Sequence, residues 1–582
     1  MKLKKRILPF YQAIPKLLLF QLVSFVILSV VTWAISSLCN LLLGLSGKAA
    51  FTSGDLGFFF THWQGYAILL LVLMLVASYI AVELNALIFY CSGLMEGKKP
   101  SVWRSIGQGF AALKKYLNPR GMVIILYAAV LSPLLGLGFS ISLTSSFYIP
   151  RFIMSVIESK PLLLTGYIIV MALLFVIAVI YGFILHGALP DNMTMKEASV
   201  NSRRLVKRNL KNFIFEMLCF LALGTLSFVL VTAAAALPLL IVQFIPMGET
   251  AQIFWSILFV SVLFMLLELM ALMFVSFFII KLTMLYKKYR EDGKWEYREQ
   301  EKKHHPFVIT AAVLSAALCV LFAVVGTNYF DQLFHTEITT EIVAHRAGGF
   351  EAPENTVKGI ETAYELGAKG CEIDIQRTSD GYYVINHDAD FSRVAGVSKT
   401  PNEMTLEEVK KLRVDGEPVP TLEEMLEASR DKVTLFVELK GETADNQMAD
   451  DAVRIIREKG MENQTVLISL KFDILEYIEQ KYPQMQTGYL AFISFGQIEN
   501  TPFDYLALEE EISTDETIEA VHSKGKKLMV WTVNEEDSIE QFMTSEADAI
   551  ITDAVKLSGE MKKELSNRTP LDIIFREANS IF

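Results

Sequence analysis

The sequence predicts an N-terminal all-α polytopic membrane domain over residues 1–336, followed by an α/β TIM, or (β/α)8, barrel over residues 337–582. Long apolar stretches occupy the first part, and short β-branched runs alternate with amphipathic segments in the second. The charge changes at the same place. Residues 1–336 carry 28 Lys and Arg against 15 Asp and Glu, whereas residues 337–582 carry 25 against 49. The acidic second part argues against nucleic acid as a partner, because phosphates would be repelled.

The first part contains apolar stretches long enough to cross a bilayer, whose core of about 30 Å needs roughly 20 helical residues. Seven stretches qualify, at 17–45, 66–92, 122–144, 162–187, 213–244, 253–285 and 307–329. The basic start "MKLKKR" resembles a signal peptide, but no clear small-residue cleavage site follows it. We therefore expect a retained first span and about seven transmembrane helices.

The loops between these stretches alternate in basic content. Lys and Arg concentrate in the N-terminus and in loops 93–121, 188–212 and 286–306. The positive-inside rule then predicts a cytoplasmic N-terminus. Seven crossings place the acidic part outside the cell, and an even number would invert that prediction.

Two of the basic loops resemble each other, "MEGKKPSVWRS" at 95–105 and "MTMKEASVNSR" at 193–203, which predicts a parallel duplication. Either both are ordinary basic loops, or their helices contact anionic lipid head groups. Within the spans, Glu83 and Glu268 are candidates for lining a polar cavity, whereas Glu216 and Lys281 lie near span ends and can reach the interface.

The second part alternates strand and helix patterns in the way a (β/α)8 barrel requires. Nine strand candidates compete for eight places, at 341–345, 370–376, 382–388, 433–440, 465–470, 487–492, 504–509, 527–533 and 548–553. Helix candidates include 354–367, 405–412, 421–430, 446–460, 472–482 and 514–525. A doubly wound sheet is a poorer alternative, because no Gly-rich phosphate turn follows the first strand.

Polar residues cluster where these strands end, which is the reactive face of such barrels. His345 and Arg346 end the first strand candidate, His387 and Asp388 the third, Glu438 and Lys440 the fourth, and Trp531 a late one, while Glu372 and Asp374 alternate along the second. Three carboxylates without a Cys or His cluster favour a hard cation, Ca²⁺ or Mg²⁺, over Zn²⁺. Two His suit proton transfer, and Arg346 and Lys440 suit a phosphate.

These motifs together resemble the glycerophosphodiester phosphodiesterase family. They are His345-Arg346, Pro353-Glu354-Asn355-Thr356, Glu372-Ile373-Asp374, His387-Asp388 and Glu438-Leu439-Lys440, with "WTVN" at 531–534 and "DAIITD" at 548–553. The resemblance covers about residues 341–560. Ala347 departs from the usual Gly after His-Arg, and "SLKFD" at 469–473 has an extra residue. The front part more loosely resembles the membrane domain fused to such enzymes in Gram-positive bacteria.

The resemblance implies a role for each position. Glu372, Asp374 and Glu438 would hold the divalent cation, and His345 and His387 would be the acid–base pair. Arg346 and Lys440 would stabilise phosphate oxygens, Trp531 would pack on the glycerol carbons, and Asn355 and Asp388 would support the site. Glu354 would orient Arg346 or cap the following helix. A neighbouring glycerol hydroxyl would attack phosphorus, and water would open the resulting cyclic phosphate.

The resemblance therefore implies a multi-pass enzyme of the bacterial cell membrane with an extracellular catalytic domain. It would hydrolyse glycerophosphodiesters, lipid-derived or from a teichoic-acid-like glycerophosphate polymer, to glycerol 3-phosphate and an alcohol, with membrane lipids as partners. Two alternatives are a lipid-handling or transport protein with an accessory phosphodiesterase domain, and a lysophospholipase D-type enzyme. A related barrel phospholipase acting on inositol lipids or sphingolipids is disfavoured by the full motif set.

Overall fold

The computed structural model describes residues 2–52, 57–123, 151–291, 295, 297, 306–334 and 336–574. These form two compact units. The first comprises Met1–Cys39, Ala67–Phe330 and the C-terminal residues from Ile574, and the second comprises Asn40–Tyr66 with Asp331–Ile573. The second unit thus contains the segment between the first two membrane helices as well as the acidic part of the chain.

The long helices of the first unit contain stretches that are apolar on all sides, as a lipid-facing helix requires. In chain order the helices are α1 (Lys2–Leu45), α2 (Phe58–Thr61), α3 (Trp63–Tyr79), α4 (Leu87–Met95), α5 (Val102–Ala111), α6 (Arg151–Ser159), α7 (Pro161–Tyr181), α8 (Ile184–Ala188), α9 (Met195–Phe244), α10 (Glu249–Arg290), α11 (Pro306–Asn328) and α12 (Phe330–Leu333). A π-helical turn, Ile80–Ala86, joins α3 to α4. Of these, α2 and the first residues of α3 belong to the second unit, as do the last residues of α1 and all of α12 except Phe330.

Six helical segments in the described part of the chain are long and apolar enough to cross a membrane. They are Leu8–Leu45, Trp63–Met95, Pro161–Ala188, Met195–Phe244, Glu249–Arg290 and Phe307–Asn328. Each overlaps one of the seven spans predicted from the sequence. The remaining predicted span, 122–144, lies almost entirely outside the described residues. The predicted fold class, a polytopic helical domain followed by a barrel, is confirmed.

A backbone turn of the same kind lies at the start of the first similar basic loop, at residues 94–97, and directly before the second, at residues 189–192. Gly97 and Asn192 both have positive φ, and their N–H groups donate to Leu94 and Leu189 respectively. In each copy an acidic residue pairs with the last turns of α10. Glu96 accepts from Lys287 Nζ at 2.6 Å, and Asp191 pairs with Arg290. Both turns therefore fasten the same helix end.

Glu216 and Lys281, which the sequence places near span ends, form a buried ion pair between α9 and α10. The Lys281 Nζ donates to Glu216 Oε2 at 2.8 Å, and the two side chains are only 13% and 8% exposed. A charge inside an apolar helix pair is costly unless it is paired, which explains why the two residues lie opposite each other.

The second unit contains a closed barrel of eight parallel strands. In barrel order these are β2 (Glu341–Ala344), β3 (Gly370–Arg377), β7 (Thr434–Leu439), β8 (Thr465–Ser469), β9 (Gln486–Ala491), β11 (Tyr505–Glu509), β12 (Lys527–Trp531) and β13 (Ala549–Thr552). The pairing of β13 with β2 closes the ring. Five other short strands lie outside it, β1 (Ala50–Thr52), β4 (Tyr383–Ile385), β5 (Arg413–Val414), β6 (Glu417–Pro418) and β10 (Ser494–Gly496).

The extra strand candidate was 382–388. Its β4 runs antiparallel to β3, with Ile375 opposite Ile385, so it forms a hairpin on the rim and is not a barrel strand. Consequently Glu438 lies on the third barrel strand and Lys440 directly follows it, whereas the sequence numbered that strand as the fourth. The hairpin still brings His387 back to the end of β3, because it folds over that strand.

Helices cover the barrel at all six positions predicted from the sequence, and three further helices, at 392–395, 536–543 and 555–565, were not among those predicted. They are α13 (Val357–Glu365), α14 (Ser392–Ala395), α15 (Leu406–Val409), α16 (Leu422–Ser429), α17 (Asn446–Glu458), α18 (Phe472–Lys481), α19 (Asp515–Ser523), α20 (Glu536–Met543) and α21 (Val555–Leu565). Thr405 and Thr421 begin α15 and α16 with capping boxes, which satisfy the free N–H groups of the first turn. Alternate strand residues such as Phe436, Ile468 and Met529 fill the barrel interior.

A cavity of about 1100 Å³ opens at the amino ends of the strands. Glu341, Thr434 and Lys527, which begin β2, β7 and β12, line it together with His522. It contains none of the residues that the sequence places in the site, all of which lie at the carboxyl ends of strands or in the loops that follow.

Candidate active site

Three carboxylates meet at the carboxyl end of the barrel. Glu372 and Asp374 are two residues apart on β3 and point to the same face, and Glu438 lies on the neighbouring β7, in register with Asp374. One oxygen of each lies within 4.8 Å of the others, and all three residues are buried. Burying three carboxylates together is unfavourable unless cations compensate their charge.

The surroundings of the cluster fit a divalent cation. Glu372 Oε1 is buried without a hydrogen-bond partner in the described part of the chain. Burial first, and then the charge of Asp374, raises the pKa of Glu372. Burial likewise raises the pKa of Glu438, although the Lys440 ammonium opposes the effect. Oxygen donors with an unsatisfied atom are what Ca²⁺ and Mg²⁺ accept, so these three residues could hold either ion.

Asn355 and Lys440 orient the cluster. The Asn355 amide donates to Asp374 Oδ2 at 2.9 Å, and Lys440 Nζ donates to Asp374 at 2.9 Å and to Glu438 at 3.0 Å. Burial alone would raise the pKa of Asp374, but the charge of Lys440 and the hydrogen bonds from Lys440 and Asn355 lower it well below its usual range. The same carboxylates raise the pKa of Lys440 despite its burial. Lys440 therefore carries a positive charge beside the site.

His345 is held by Asp553, the residue directly after the last barrel strand. Its Nδ1 lies 2.8 Å from Asp553 Oδ1, and its Nε2 lies 4.0 Å from Glu372. Asn534 fixes Asp553 by donating to Oδ2 at 2.7 Å and accepting from the Asp553 N–H at 2.8 Å. Burial lowers the pKa of His345, but the hydrogen bond and charge of Asp553, together with Glu372, outweigh burial and raise it. The outer nitrogen of His345 is thereby directed at the carboxylate cluster.

His387 has a comparable partner on the opposite side. Its Nδ1 lies 2.9 Å from Asp388 Oδ1, and Arg393 donates to Asp388 Oδ2 at 2.6 Å. Burial is the main reason that the pKa of His387 is lowered, and the charges of Lys440 and Arg346 act in the same direction. Gln376 supports the loop by donating to the carbonyls of residues 386 and 388 at 2.8 and 2.7 Å. The pKa of His345 is thus raised, whereas the pKa of His387 is lowered.

Glu354 belongs to the same network. It accepts two hydrogen bonds of 2.7 Å from Arg393 and lies 3.5 Å from Arg346. The following helix is capped by Thr356, whose Oγ1 accepts from the Gly359 N–H at 3.0 Å. The structure therefore places Glu354 between two arginines and not at the helix cap.

Arg346 has a left-handed backbone, with φ +50, that few non-glycine residues adopt. Its N–H donates to Glu372 Oε2 at 2.9 Å, and its Nε is buried without a partner in the described part of the chain. Strained backbone at such a position is common in functional sites.

Trp531 ends β12, donates from Nε1 to the Ala507 carbonyl at 2.8 Å and packs against the barrel interior.

The structure brings together the site residues selected from the sequence other than Trp531, and it adds four that were not selected individually: Asp553, Asn534, Arg393 and Gln376. Asp553 and Asn534 lie in the two closing motifs already noted, "DAIITD" and "WTVN", at the ends of strands seven and eight. Asp553 could have been selected from the sequence, because it is a polar residue at the end of a strand, as His345 is. Arg393 follows no pattern in the sequence, because its contacts with Asp388 and Glu354 depend on how the loop after β4 folds.

A parallel (β/α)8 barrel with two carboxylate-paired histidines, two cationic side chains and a carboxylate cluster at its mouth has the equipment of a phosphoric diester hydrolase. The comparisons with known proteins agree. The glycerophosphoryl diester phosphodiesterase family model matches residues 345–557, and the membrane domain of glycerophosphoryl diester phosphodiesterase matches residues 3–325. The chain belongs to this family and is a membrane protein with a phosphodiesterase barrel.

Relatives match the barrel. A glycerophosphodiester phosphodiesterase of Caldanaerobacter subterraneus is 31% identical over 233 residues, 37% of this chain and 94% of the relative. One of Bacillus altitudinis is 27% identical over 248 residues, 38% of this chain and all of the relative. Among solved structures, a glycerophosphodiester phosphodiesterase from Agrobacterium tumefaciens is 22% identical, with a TM-score of 0.34, and covers 38% of this chain and 99% of its own.

Proposed function

We propose that this protein hydrolyses glycerophosphodiesters to glycerol 3-phosphate and an alcohol at the outer face of a bacterial cell membrane, using Ca²⁺ or Mg²⁺. The observation that carries the proposal is the pair of histidines, each hydrogen-bonded to its own aspartate, together with the buried cluster of Glu372, Asp374 and Glu438. The alternation of basic loops along the first part supports the outer location. Lipid-derived diesters and glycerophosphate polymers are both candidate substrates.

The pKa directions assign the proton transfers. His387, with a lowered pKa, is neutral and takes the proton of the glycerol hydroxyl next to the phosphate. That oxygen attacks phosphorus, and His345, with a raised pKa, gives a proton to the leaving alkoxide. Water then opens the cyclic phosphate with the two roles reversed.

The other groups of the site act by charge and position. Arg346 and Lys440 provide positive charge for the phosphate oxygens, an effect that is strong in a buried site. When bound by Glu372, Asp374 and Glu438, a divalent cation supplies further neutralisation of phosphate charge. Trp531 offers an apolar surface for the glycerol carbons.

The test uses the full-length protein purified in detergent. Glycerol 3-phosphate released from glycerophosphocholine is measured with and without EDTA, for the wild type and for His345→Ala. We expect release that stops with EDTA, returns with added Ca²⁺ or Mg²⁺, and falls at least about a hundredfold in the variant.

The matched control is His522→Ala, because His522 also pairs with an aspartate, Asp548 at 2.9 Å, but at the opposite end of the barrel. It should keep wild-type release. Release that is insensitive to EDTA, or that falls equally in both variants, would contradict the proposed function.

A further inference from the structure

The segment between the first two membrane helices is part of the catalytic unit. Its strand β1 pairs antiparallel with β10, with Ala50 opposite Gly496, Phe51 opposite Phe495 and Thr52 opposite Ser494. The pairing continues through the Gln497 N–H, which donates to the Ala49 carbonyl at 3.0 Å. All three residues of β1 are buried, and Thr52 Oγ1 lies 2.6 Å from the hydroxyl of the fully buried Tyr489. We call this contact the joint.

Gly496 is the residue that allows this approach. Its φ is +112, and a Cβ atom there would lie 3.0 Å from both the Ala49 carbonyl oxygen and Leu43 Cδ1. Leu43 is in the last turn of α1, so the joint holds the end of the first membrane helix as well as β1. A side chain at position 496 would push the two segments apart.

The joint lies at the rim of the catalytic mouth. β10 belongs to the loop that leaves the carboxyl end of β9, and the carboxyl ends of the strands carry all of the catalytic groups. The other strand of the joint, β1, follows closely after the first membrane helix. That helix, α1, ends at Leu45, and the Lys48 N–H donates to the Leu43 carbonyl at 3.2 Å. The same unit therefore contains the catalytic mouth and the points where the chain leaves and re-enters a bilayer.

The surface around the joint is apolar and exposed. Four side chains there are exposed, Phe60 by 69%, Trp63 by 63%, Ile493 by 44% and Phe495 by 36%. Trp63 begins α3, and aromatic residues favour the boundary between lipid and water. Because this surface is continuous with two membrane-spanning helices, a lipid surface is the partner that its chemistry fits.

We propose that the joint holds the mouth of the barrel at the membrane surface and directs it to lysophospholipids, whose single acyl chain stays in the bilayer. This inference rests on the proposed function. The glycerol hydroxyl next to the phosphate is free in such lipids, so its oxygen forms the new P–O bond while the bond to the head-group alcohol breaks and that alcohol leaves with a proton. Water then opens the ring to acyl-glycerol phosphate. A diacyl phospholipid lacks the hydroxyl and is not a substrate.

The experiment compares choline release by the full-length protein in lipid nanodiscs from three substrates: soluble glycerophosphocholine, lysophosphatidylcholine and diacyl phosphatidylcholine. We expect release from the first two and none from the third. In Gly496→Val, kcat/KM for lysophosphatidylcholine should fall at least tenfold, whereas that for glycerophosphocholine should change less than twofold.

Gly525→Val is the matched control. Gly525 also has positive φ, +71, but no atom lies within 4 Å of its Cβ position, so both activities should stay within twofold of wild type. Equal losses on both substrates in Gly496→Val, or release from the diacyl lipid, would overturn the inference. Failure to hydrolyse glycerophosphocholine in the wild type would instead overturn the proposed function.

A second measurement does not depend on the folding of Gly496→Val. The pair Thr52→Cys and Ser494→Cys places two thiols at directly opposed positions of β1 and β10. Oxidation should link them, as detected by mass spectrometry of the joined peptides. The pair Thr61→Cys with Ser494→Cys, in which residue 61 lies outside β1, should not link. Absence of the first link in a folded protein would contradict the joint.

Discussion

Gly349 is the point where the first barrel loop passes closest to the last strand. Its φ is +57, and a Cβ atom there would lie 2.3 Å from the Asp553 carbonyl oxygen. The neighbouring Phe350 N–H donates to the same oxygen at 2.6 Å. Gly349→Ala must therefore displace Asp553 and with it His345, so we expect kcat on glycerophosphocholine to fall about a hundredfold, as small misplacements of catalytic groups do.

The control for this substitution is Gly367→Ala, at φ +94 with no atom within 4 Å of the Cβ position. It should cost roughly 1 kcal/mol of stability through backbone strain alone and leave kcat unchanged. Thermal unfolding and kcat are measured together for both variants. A Gly349→Ala protein with wild-type kcat would contradict the role assigned to Asp553.

Asp553 also determines where His345 titrates. The base, His387, has a lowered pKa, and the acid, His345, has a raised one. A plot of kcat/KM against pH should therefore be bell-shaped, with its acid limb below and its alkaline limb above about 6.5, the ordinary pKa of histidine. Asp553→Asn removes the charge that raises the pKa of His345. The alkaline limb, where His345 loses its proton, should therefore move to lower pH, while the acid limb should stay. A pH profile in which only the acid limb moves would exchange the two roles.

At the residue scale, site residues could be selected from the sequence where a motif lies at the end of a predicted strand. His345, Glu372 and Glu438 could be selected because alternation along a strand determines which side chains share a face. Arg393 could not, since its contacts with Asp388 and Glu354 depend on how the loop after β4 folds back over the rim. The left-handed backbone of Arg346 and Ala347 was equally inaccessible, because neither residue type indicates positive φ.

At the scale of elements, the ion pair between α9 and α10 allows a direct test. Lys281→Met leaves Glu216 as an uncompensated buried charge, which should destabilise the protein by about 3–5 kcal/mol. The double variant Glu216→Gln with Lys281→Met removes both charges and should recover most of that loss. Lys98→Met is the matched control, because Lys98 pairs with Glu96 at the surface, where such pairs contribute about 1 kcal/mol or less.

These stabilities are compared by thermal unfolding in one detergent. A double variant no more stable than Lys281→Met alone would mean that the two residues do not compensate each other. The order expected is wild type and Lys98→Met highest, then the double variant, then Lys281→Met.

Helices and strands could be predicted from the sequence where local signals such as helix caps define them. They could not be predicted where pairing with a distant strand determines the structure. The helices α15 and α16 begin after threonines with a glutamate three residues later, a signal that needs no distant contact. The run 382–388 has the composition of a barrel strand, but its antiparallel pairing with β3 makes it a hairpin. Periodicity reports which residues prefer an extended backbone and not which neighbour they pair with.

At the scale of the whole molecule, the grouping of Asn40–Tyr66 with the barrel could not be foreseen. The segment is short, and its strand β1 has only three residues, so no sequence pattern distinguishes it from an ordinary loop between two spans. Its partner β10 is more than 440 residues away in the chain. The change from a basic, apolar first part to an acidic second part, in contrast, was visible because it depends on composition alone.

The joint also constrains how the chain crosses the membrane. Since β1 pairs with β10, the loop after the first span and the barrel lie on the same side, and the chain between Trp63 and Asp331 must cross an even number of times. Five of the six candidate spans lie in that interval, within the described residues. The span predicted from the sequence at 122–144 would make the number six. Together with the positive-inside rule, this predicts a cytoplasmic N-terminus and an external barrel.

Single cysteines at exposed positions test this topology with a membrane-impermeant maleimide. Thr61→Cys, before the second span, and Asn463→Cys, in the barrel, should both react in intact cells. Lys98→Cys, just after the second span, should react only after the membrane is permeabilised. The wild-type protein gives the background, because four of its five cysteines are buried. If Thr61→Cys and Asn463→Cys react on opposite sides, the number of crossings between them is odd and the pairing of β1 with β10 cannot exist in the cell.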